Sequence, residues 1–260
     1  MTTPPLESTI ELSGGPVEVL EWPARADRAS IVMLHEGLGS ARLWRSLPAA
    51  LAARTGRRTI TWSRHGYGQS APAPLPRRPS YMHDEATQVL PEFLAALEID
   101  EPVLIGHSDG ASIALIHAGV GHPAESIVAI APHVFVEDVT IAEIEEARHR
   151  FTTSDLPSRM ARHHADANAT FRGWNDIWLS TEFRDWSIED QLSGIRCPVL
   201  LIQAADDPYG TFDQLDRIEA GVAGGVQRLA LKEGGHSPHL THGDEIAGAV
   251  VDFLASPPPC

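Results

Sequence analysis

Five consecutive residues, Gly106-His107-Ser108-Asp109-Gly110, have the types and spacing that nucleophilic chemistry needs. They follow the apolar run 102–105 and precede the helix-like run 111–116, which predicts a strand, a tight turn and a helix. Glycines on either side of a serine allow strand and helix to pack closely around a strained turn. The hydroxyl of Ser108 would then project from the sheet beside a helix N-terminus. The pattern favours a hydrolase with a serine nucleophile, and the alternative is an ordinary turn serine.

A serine hydroxyl becomes a useful nucleophile only when a base lies within hydrogen-bond reach and an acid orients that base. An apolar run at 197–202 leads into Asp206 and Asp207, and another at 226–231 leads into His236. In a doubly wound hydrolase the three residues occur in the order serine, acid, histidine. The chain has this order, so Ser108, Asp207 and His236 are predicted to form a catalytic triad.

Composition limits the partners that the chain is expected to bind. With 20 Lys and Arg against 35 Asp and Glu in 260 residues, the net charge is −15, which argues against nucleic acid and anionic membranes. The two cysteines, Cys197 and Cys260, make a disulfide framework implausible and fit a reducing cytoplasm. The N-terminus lacks a signal-peptide pattern, and no apolar run approaches membrane-span length.

No metal site is expected, because the thirteen histidines are not part of an H-E-x-x-H or C-x-x-C pattern, and no cofactor is expected either. The expected partner is therefore a small-molecule substrate. The oligomeric state is left open.

Strand-like and helix-like segments alternate along most of the chain. The predicted strands are 16–22, 30–35, 57–62, 102–105, 126–131, 197–202 and 226–231, and the predicted helices include 44–54, 81–98 and 244–254. Continuous apolar strands between helices are typical of a parallel sheet that is covered on both faces. The predicted fold class is α/β, with a doubly wound, mostly parallel sheet.

The segment between the strands at 126–131 and 197–202 interrupts this alternation. From 136 to 190 it is polar, helical in character and rich in aromatic residues. We interpret it as a small helical cap inserted after the strand at 126–131, with residues 1–135 and 191–260 forming the core domain. Trp174 and Trp178 are four residues apart on one helix face, so one or both are candidates for the pocket, while the other cap aromatics are expected to serve packing.

Across nearly its whole length the chain resembles the α/β-hydrolase fold superfamily. The segments that carry the resemblance are His35-Glu36-Gly37-Leu38-Gly39-Ser40, Ser63-Arg64-His65-Gly66-Tyr67-Gly68-Gln69-Ser70, 106–110, 204–207 and Gly235-His236. In the second segment Ser63 stands where the family carries an acid, and His65 replaces the usual neighbour of the arginine. The resemblance implies a serine hydrolase whose Ser108 lies on a nucleophile elbow.

The resemblance also implies further roles in the site. The family's G-x-x-D turn places the catalytic acid at Asp207, with Asp206 as the fallback. Two backbone N–H groups, those of Gly37 and Asp109, are expected to form the oxyanion hole. Glu36 departs from the family's His-Gly pair, and we expect its carboxylate to turn away into a hydrogen-bonded position rather than to recognise substrate.

Several functions remain open on the sequence alone. Hydrolysis of small to medium carboxylic esters through an acyl-enzyme is the leading interpretation. A carbon–carbon bond hydrolase of diketone-type ring-cleavage products, a thioesterase, a lactonase and a non-catalytic ligand receptor are the alternatives. The Asp109 carboxylate has two interpretations. In the simpler one it is a negative side chain at a helix N-terminus, where such a charge is stabilising. In the other interpretation Asp109, with or without Glu36, receives a cationic substrate group.

Overall fold

The computed structural model describes residues 4–258. The expectation for the N-terminus therefore rests partly on residues outside the described range, and the expectation for Cys260 lies outside it altogether. The strands are β1 (Leu6–Leu12), β2 (Gly15–Trp22), β3 (Ile31–Leu34), β4 (Thr59–Trp62), β5 (Val103–His107), β6 (Ser126–Ile130), β7 (Val199–Ala204) and β8 (Val226–Leu231).

The helices alternate with these strands. They are α1 (Leu47–Thr55), α2 (Tyr81–Asp84), α3 (Leu90–Ala96), α4 (Asp109–Gly119), α5 (Asp138–Thr153), α6 (Leu156–Met160), α7 (Ala167–Trp178), α8 (Asp213–Gly221), α9 (Pro238–Thr241) and α10 (Gly243–Ala255). Of the helices that the structure describes, none combines the length and the apolar character needed to cross a membrane.

The eight strands form one sheet in the order β1-β2-β4-β3-β5-β6-β7-β8. From β4 to β8 every neighbouring pair is parallel, while β2 is antiparallel to both β1 and β4. The predicted fold class, a doubly wound and mostly parallel α/β sheet, is confirmed. Because the carboxyl ends of parallel strands share one edge, the loops after β3, β5, β6, β7 and β8 converge there.

Each face of the sheet carries its own apolar core, which explains the continuous apolar strands. Within β3, Ile31 and Met33 face the core that includes α1 and α10. Val32 and Leu34 face the core that includes α3, α4 and α7. This alternation follows from the two-residue period of a strand.

Two features differ from the sequence prediction. β1 was not expected, because most of its residues are exposed and it lacks a buried apolar run. The helix predicted at 81–98 is interrupted by a π-helical turn, Glu85–Val89, in which the Leu90 N–H donates to the Glu85 carbonyl. Pro91 follows this turn and has no N–H, so a wider turn here avoids an α-helical bond that proline cannot make.

The chain between β6 and β7 folds as helices α5, α6 and α7 and two 3₁₀ turns, Thr181–Phe183 and Glu189–Gly194. An isolated bridge joins Phe135 to Ser187 near the two ends of this segment. Aromatic pairs stack within it, with ring centroids 3.8 Å apart for Phe151 and Phe171. The division of the chain into a core and a cap stays a prediction.

Candidate active site

Ser108 lies on a sharp turn between β5 and α4. Its φ of 52° and ψ of −120° fall in a region that residues with a side chain seldom occupy. A Cβ at Gly106 would lie 2.3 Å from the Gly110 carbonyl oxygen, and a Cβ at Gly110 would lie 2.0 Å from the Leu34 carbonyl oxygen. Both positions therefore require glycine, because strand, turn and helix approach one another too closely for any side chain.

Three loops at the same sheet edge bring the predicted triad together. The Ser108 hydroxyl donates to Nε2 of His236 at 2.9 Å. Nδ1 of His236 donates to Asp207 at 2.9 and 3.0 Å to its two carboxylate oxygens. The arrangement has the geometry in which an imidazole can accept a proton from a serine while a carboxylate holds its orientation.

Asp207 is held as an ionised acceptor. Burial raises the pKa of this carboxyl group, but the charge and hydrogen bond of His236 outweigh burial and lower the pKa from its ordinary value. The Tyr209 N–H and the Gln203 amide also donate to the Asp207 carboxylate. Its neighbour Asp206 is exposed and accepts from the Gly235 N–H at 2.8 Å, so it supports the loop before His236 instead.

The loop after β3 presents the Gly37 N–H. The Glu36 carbonyl oxygen accepts from Nδ1 of His35 at 2.7 Å, from the Arg64 guanidinium at 3.1 Å and from the Gly39 N–H at 3.1 Å. In a trans peptide the N–H points opposite to the carbonyl, so these donors turn the Gly37 N–H away from themselves. A Cβ at Gly37 would lie 2.2 Å from Cδ1 of Trp174, which explains why glycine is required there.

Asp109 is the first residue of α4, and its N–H begins the helix beside Ser108. Within residues 4–258, neither this N–H nor that of Gly37 donates to another protein group. Both are therefore available to an oxygen that forms on a substrate next to Ser108.

A pocket of about 180 Å³ opens beside Ser108. Its walls are Glu36, Gly37, Leu38, Ser108, Asp109, His133, Thr140, Ile144, Trp174, Trp178, Tyr209, His236 and Ser237. The predicted pocket residues Glu36, Trp174 and Trp178 all line it. Larger surface hollows exist, such as one of about 480 Å³ near Arg77, but the Ser108 hydroxyl and the His236 imidazole do not line that hollow.

The Asp109 side chain belongs to a buried chain of hydrogen bonds that reaches α7. Nε1 of Trp178 donates to the Tyr81 hydroxyl at 3.0 Å, and that hydroxyl donates to Oδ2 of Asp109 at 2.7 Å. Burial, followed by the charge of Asp109, raises the pKa of Tyr81 well above its ordinary value, so it remains a donor. Oδ1 of Asp109 is buried without a hydrogen-bond partner among the described residues.

Glu36 combines the two positions that the sequence left as alternatives. The residue lines the pocket, and its Oε2 lies 3.3 Å from Nδ1 of the buried His107. The side chain is 25% exposed. A Cβ at Gly39 would lie 2.3 Å from the same oxygen, so the carboxylate folds across the loop that bears Gly37.

Sequence reasoning missed several residues near the site. His133 and Tyr209 line the pocket and follow β6 and β7, so the carboxyl-end rule that identified Asp207 would have pointed to them as well. Burial lowers the pKa of His133 to about 3, which leaves the ring neutral. No comparable signal marks Tyr81, which reaches Asp109 from a helix far away in the sequence.

Another missed residue is Glu18, on β2. Its carboxylate accepts from the Ser63 hydroxyl at 2.8 Å and from the Gln69 N–H at 3.2 Å. A carboxylate from another strand thus lies beside Ser63, which stands where the family pattern carries an acid.

No group of three or more His, Cys, Asp or Glu side chains in the described part of the chain is placed to hold a metal ion.

Comparisons with known proteins agree on one family. The model of the alpha/beta hydrolase family matches residues 31–249. A relative from Danio rerio, the sn-1-specific diacylglycerol lipase ABHD11, is 31% identical over 150 residues, which cover 56% of this chain and 45% of that relative. The match therefore spans less than half the length of that protein.

Full-length similarities are weaker in sequence. A protein of Klebsiella pneumoniae (strain 342) that is named as a carbamate hydrolase, RutD, is 25% identical over 258 residues, covering 90% of this chain and 93% of its own. Two solved structures share the fold with a TM-score of 0.75 and cover 96% of this chain and 100% of theirs. They are an esterase from Exiguobacterium antarcticum, 18% identical, and the enol-lactonase from Burkholderia xenovorans LB400, 19% identical.

Proposed function

The chain belongs to the alpha/beta hydrolase family, and from this premise we propose that it hydrolyses small to medium carboxylic esters through an acyl-enzyme on Ser108. The observation that carries the proposal is the 2.9 Å contact between the Ser108 hydroxyl and Nε2 of His236. Behind it, Asp207 lies 2.9 Å from Nδ1 of the same ring.

The reaction follows from these contacts. The Ser108 oxygen attacks the ester carbonyl while Nε2 of His236 takes its proton, and Asp207 stabilises the imidazolium. The N–H groups of Gly37 and Asp109 bind the tetrahedral oxyanion. His236 then protonates the leaving alcohol, and the alcohol departs. His236 next takes a proton from water, and the water oxygen attacks the acyl carbon. As this intermediate collapses, His236 returns the proton to the Ser108 oxygen, which releases the acid and free Ser108.

The size of the pocket favours a small acyl group. Its volume of about 180 Å³ lies below the roughly 300–1,000 Å³ that is usual for drug-sized ligands. The helices between β6 and β7 contribute Thr140, Ile144, Trp174 and Trp178 to its walls. This contribution supports our proposal that residues 136–190 form a cap over a core of residues 1–135 and 191–260.

Ester hydrolysis can be tested with a panel of acyl donors and the variant Ser108→Ala. We expect the wild type to turn over short-chain aryl esters and Ser108→Ala to lose activity by about 10⁶-fold, as expected when a serine nucleophile is removed. Steady-state rates on esters, thioesters and lactones measure this. Unchanged turnover of every accepted donor by Ser108→Ala would refute the proposal.

The charge of the pocket favours ester hydrolysis over the carbon–carbon alternative. Among the described residues that line it, Glu36 and Asp109 are carboxylic acids and none is Lys or Arg. A vinylogous diketo acid carries a carboxylate, which Asp109 would repel, because the only hydrogen bond that its carboxylate accepts among the described residues comes from the uncharged Tyr81 hydroxyl. Lactones and thioesters lack that charge, so the same panel of acyl donors tests them as substrates. Binding of a ligand without turnover would indicate a receptor.

An ester that carries a cationic group is a second candidate substrate. The buried Oδ1 of Asp109 has no hydrogen-bond partner in residues 4–258, and the residue lines the pocket. A buried carboxylate oxygen without a partner is costly, and an ammonium donor would satisfy it. With Asp109→Asn we expect a larger loss of kcat/KM on an amino-bearing ester than on its neutral analogue. Equal losses would exclude this substrate.

A further inference from the structure

His107, the residue directly before Ser108, is fully buried and does not line the pocket. Its Nε2 lies 2.7 Å from the His236 carbonyl oxygen, and its Nδ1 lies 3.3 Å from Oε2 of Glu36. Its ring contacts three other aromatic rings, those of Trp44, His236 and His239. Its contacts therefore join three loops of the site.

The two acceptors define the protonation state of His107. A carbonyl oxygen and an ionised carboxylate can only accept hydrogen bonds, so both ring nitrogens must donate. A histidine with two N–H donors is an imidazolium. The contact with Glu36 is then a charge-assisted hydrogen bond between a buried cation and a carboxylate.

The surrounding charges agree with this assignment. Burial lowers the pKa of His107, but the hydrogen bond and charge of Glu36 outweigh burial and raise the pKa above its ordinary value. Burial raises the pKa of Glu36, and the His107 contact outweighs it and lowers that pKa. The other titratable groups around His107 are Asp207, His236, His239 and the neutral His133. Burial lowers the pKa of His239 to about 3, so that ring is neutral.

We propose that Glu36 and His107 form a charged pair that positions the catalytic machinery, with His107 holding the backbone of His236 and Glu36 holding the loop that bears Gly37. The proposal rests on the function proposed above. His107 fixes the carbonyl of the residue whose imidazole contacts Ser108. The Glu36 carboxylate folds across Gly39, two residues after the Gly37 N–H. Glu36 and His107 are positioning residues and take no part in bond making.

Loss of the His107 proton breaks this arrangement. A neutral imidazole has one acceptor nitrogen, which would face either the Glu36 carboxylate or the His236 carbonyl, and two acceptors repel each other. Because the folded-state pKa is raised, the pair is intact below the ordinary histidine range and is lost as pH rises through the raised value. Activity should therefore fall on the alkaline side.

Two variants test the pair through the pH dependence of kcat on a neutral aryl ester. Glu36→Gln keeps the shape and removes the charge, so we expect the alkaline limb to move down by about one pH unit. We also expect kcat to fall about 10- to 100-fold at pH 8, as for a displaced catalytic group, with KM nearly unchanged. His107→Gln removes the titrating group, so its profile should lack the alkaline limb.

Matched controls separate positioning from general damage to the fold. Glu125→Gln removes the carboxylate that pairs with Arg57 away from the site, and His117→Gln replaces a buried histidine that bonds the Ala86 carbonyl. Both profiles should superimpose on that of the wild type. An alkaline limb that Glu36→Gln leaves in place, or one that persists in His107→Gln, would overturn the proposal.

Nitrogen NMR of the ring tests the pair without activity, with His107→Gln providing the assignment. We expect both ring nitrogens of His107 to be protonated at pH 7, and the titration midpoint to fall in Glu36→Gln. A neutral His107 ring at pH 7 would overturn the pair. If no ester is hydrolysed, the proposed function fails while this titration still decides whether the pair exists.

Discussion

Asp206 and Asp207 are adjacent in sequence but have different surroundings. The Asp207 side chain is 1% exposed and accepts from Nδ1 of His236. Asp206 is exposed and accepts only from the Gly235 N–H among the described hydrogen bonds. A carboxylate beside the imidazole fixes its tautomer and stabilises its cation, whereas one on the loop backbone only shapes a turn.

The two residues should therefore respond differently to loss of charge. Asp207→Asn is expected to lower kcat by about 10⁴-fold, because an amide can no longer stabilise the imidazolium or enforce its tautomer. Asp206→Asn keeps an oxygen acceptor for the Gly235 N–H and should change kcat by less than about 10-fold. Steady-state kinetics on one ester measures both variants. A larger loss in Asp206→Asn than in Asp207→Asn would reverse the assignment of the acid.

The turn between β5 and α4 places Ser108 at the site at the expense of backbone strain. The combination of φ 52° and ψ −120° at a residue with a Cβ costs about 1–3 kcal/mol. The parallel strands on either side and the close packing at Gly106 and Gly110 hold the turn in place. The strained backbone at Ser108, the proposed nucleophile, thus lowers the stability of the folded protein.

Glycine should relieve this strain, because it adopts positive φ without a Cβ clash. Ser108→Gly is expected to have a free energy of unfolding about 1 kcal/mol higher than Ser108→Ala, after the entropy that glycine loses on folding. Urea unfolding of the two variants measures the difference.

Ser112, an interior residue of α4, provides the matched control. There the order should reverse, with Ser112→Gly about 1 kcal/mol less stable than Ser112→Ala. If glycine is also the less stable choice at position 108, the turn is not strained.

Over the whole molecule, the sequence predicted the sheet well because its parallel strands are short apolar runs between helices. Ser108, Asp207 and His236 could be grouped from sequence, since each follows such a run and these runs end at one edge. β1 could not be recognised, because an exposed edge strand lacks that signal.

Side-chain contacts between distant segments were beyond the sequence. The bond between His107 and the His236 carbonyl and the bond between Tyr81 and Asp109 depend on how strands and helices pack. No periodicity or motif in the sequence indicates either of these hydrogen bonds. The contact between the Glu18 carboxylate and Ser63 likewise depends on the pairing of β2 with β4, which the sequence does not specify.

Covalent labelling tests the central claim, that Ser108 is the nucleophile, most directly. An activated serine attacks the phosphorus of a tagged fluorophosphonate and displaces fluoride, which leaves the tag covalently bound to the serine oxygen. Digestion followed by mass spectrometry then identifies the labelled residue. We predict that the label is found on Ser108 alone and is absent from Ser108→Ala. Ser237→Ala, which removes the other serine in the pocket, should still be labelled at Ser108. A label on any other residue, or no label on protein that hydrolyses esters, would contradict the account.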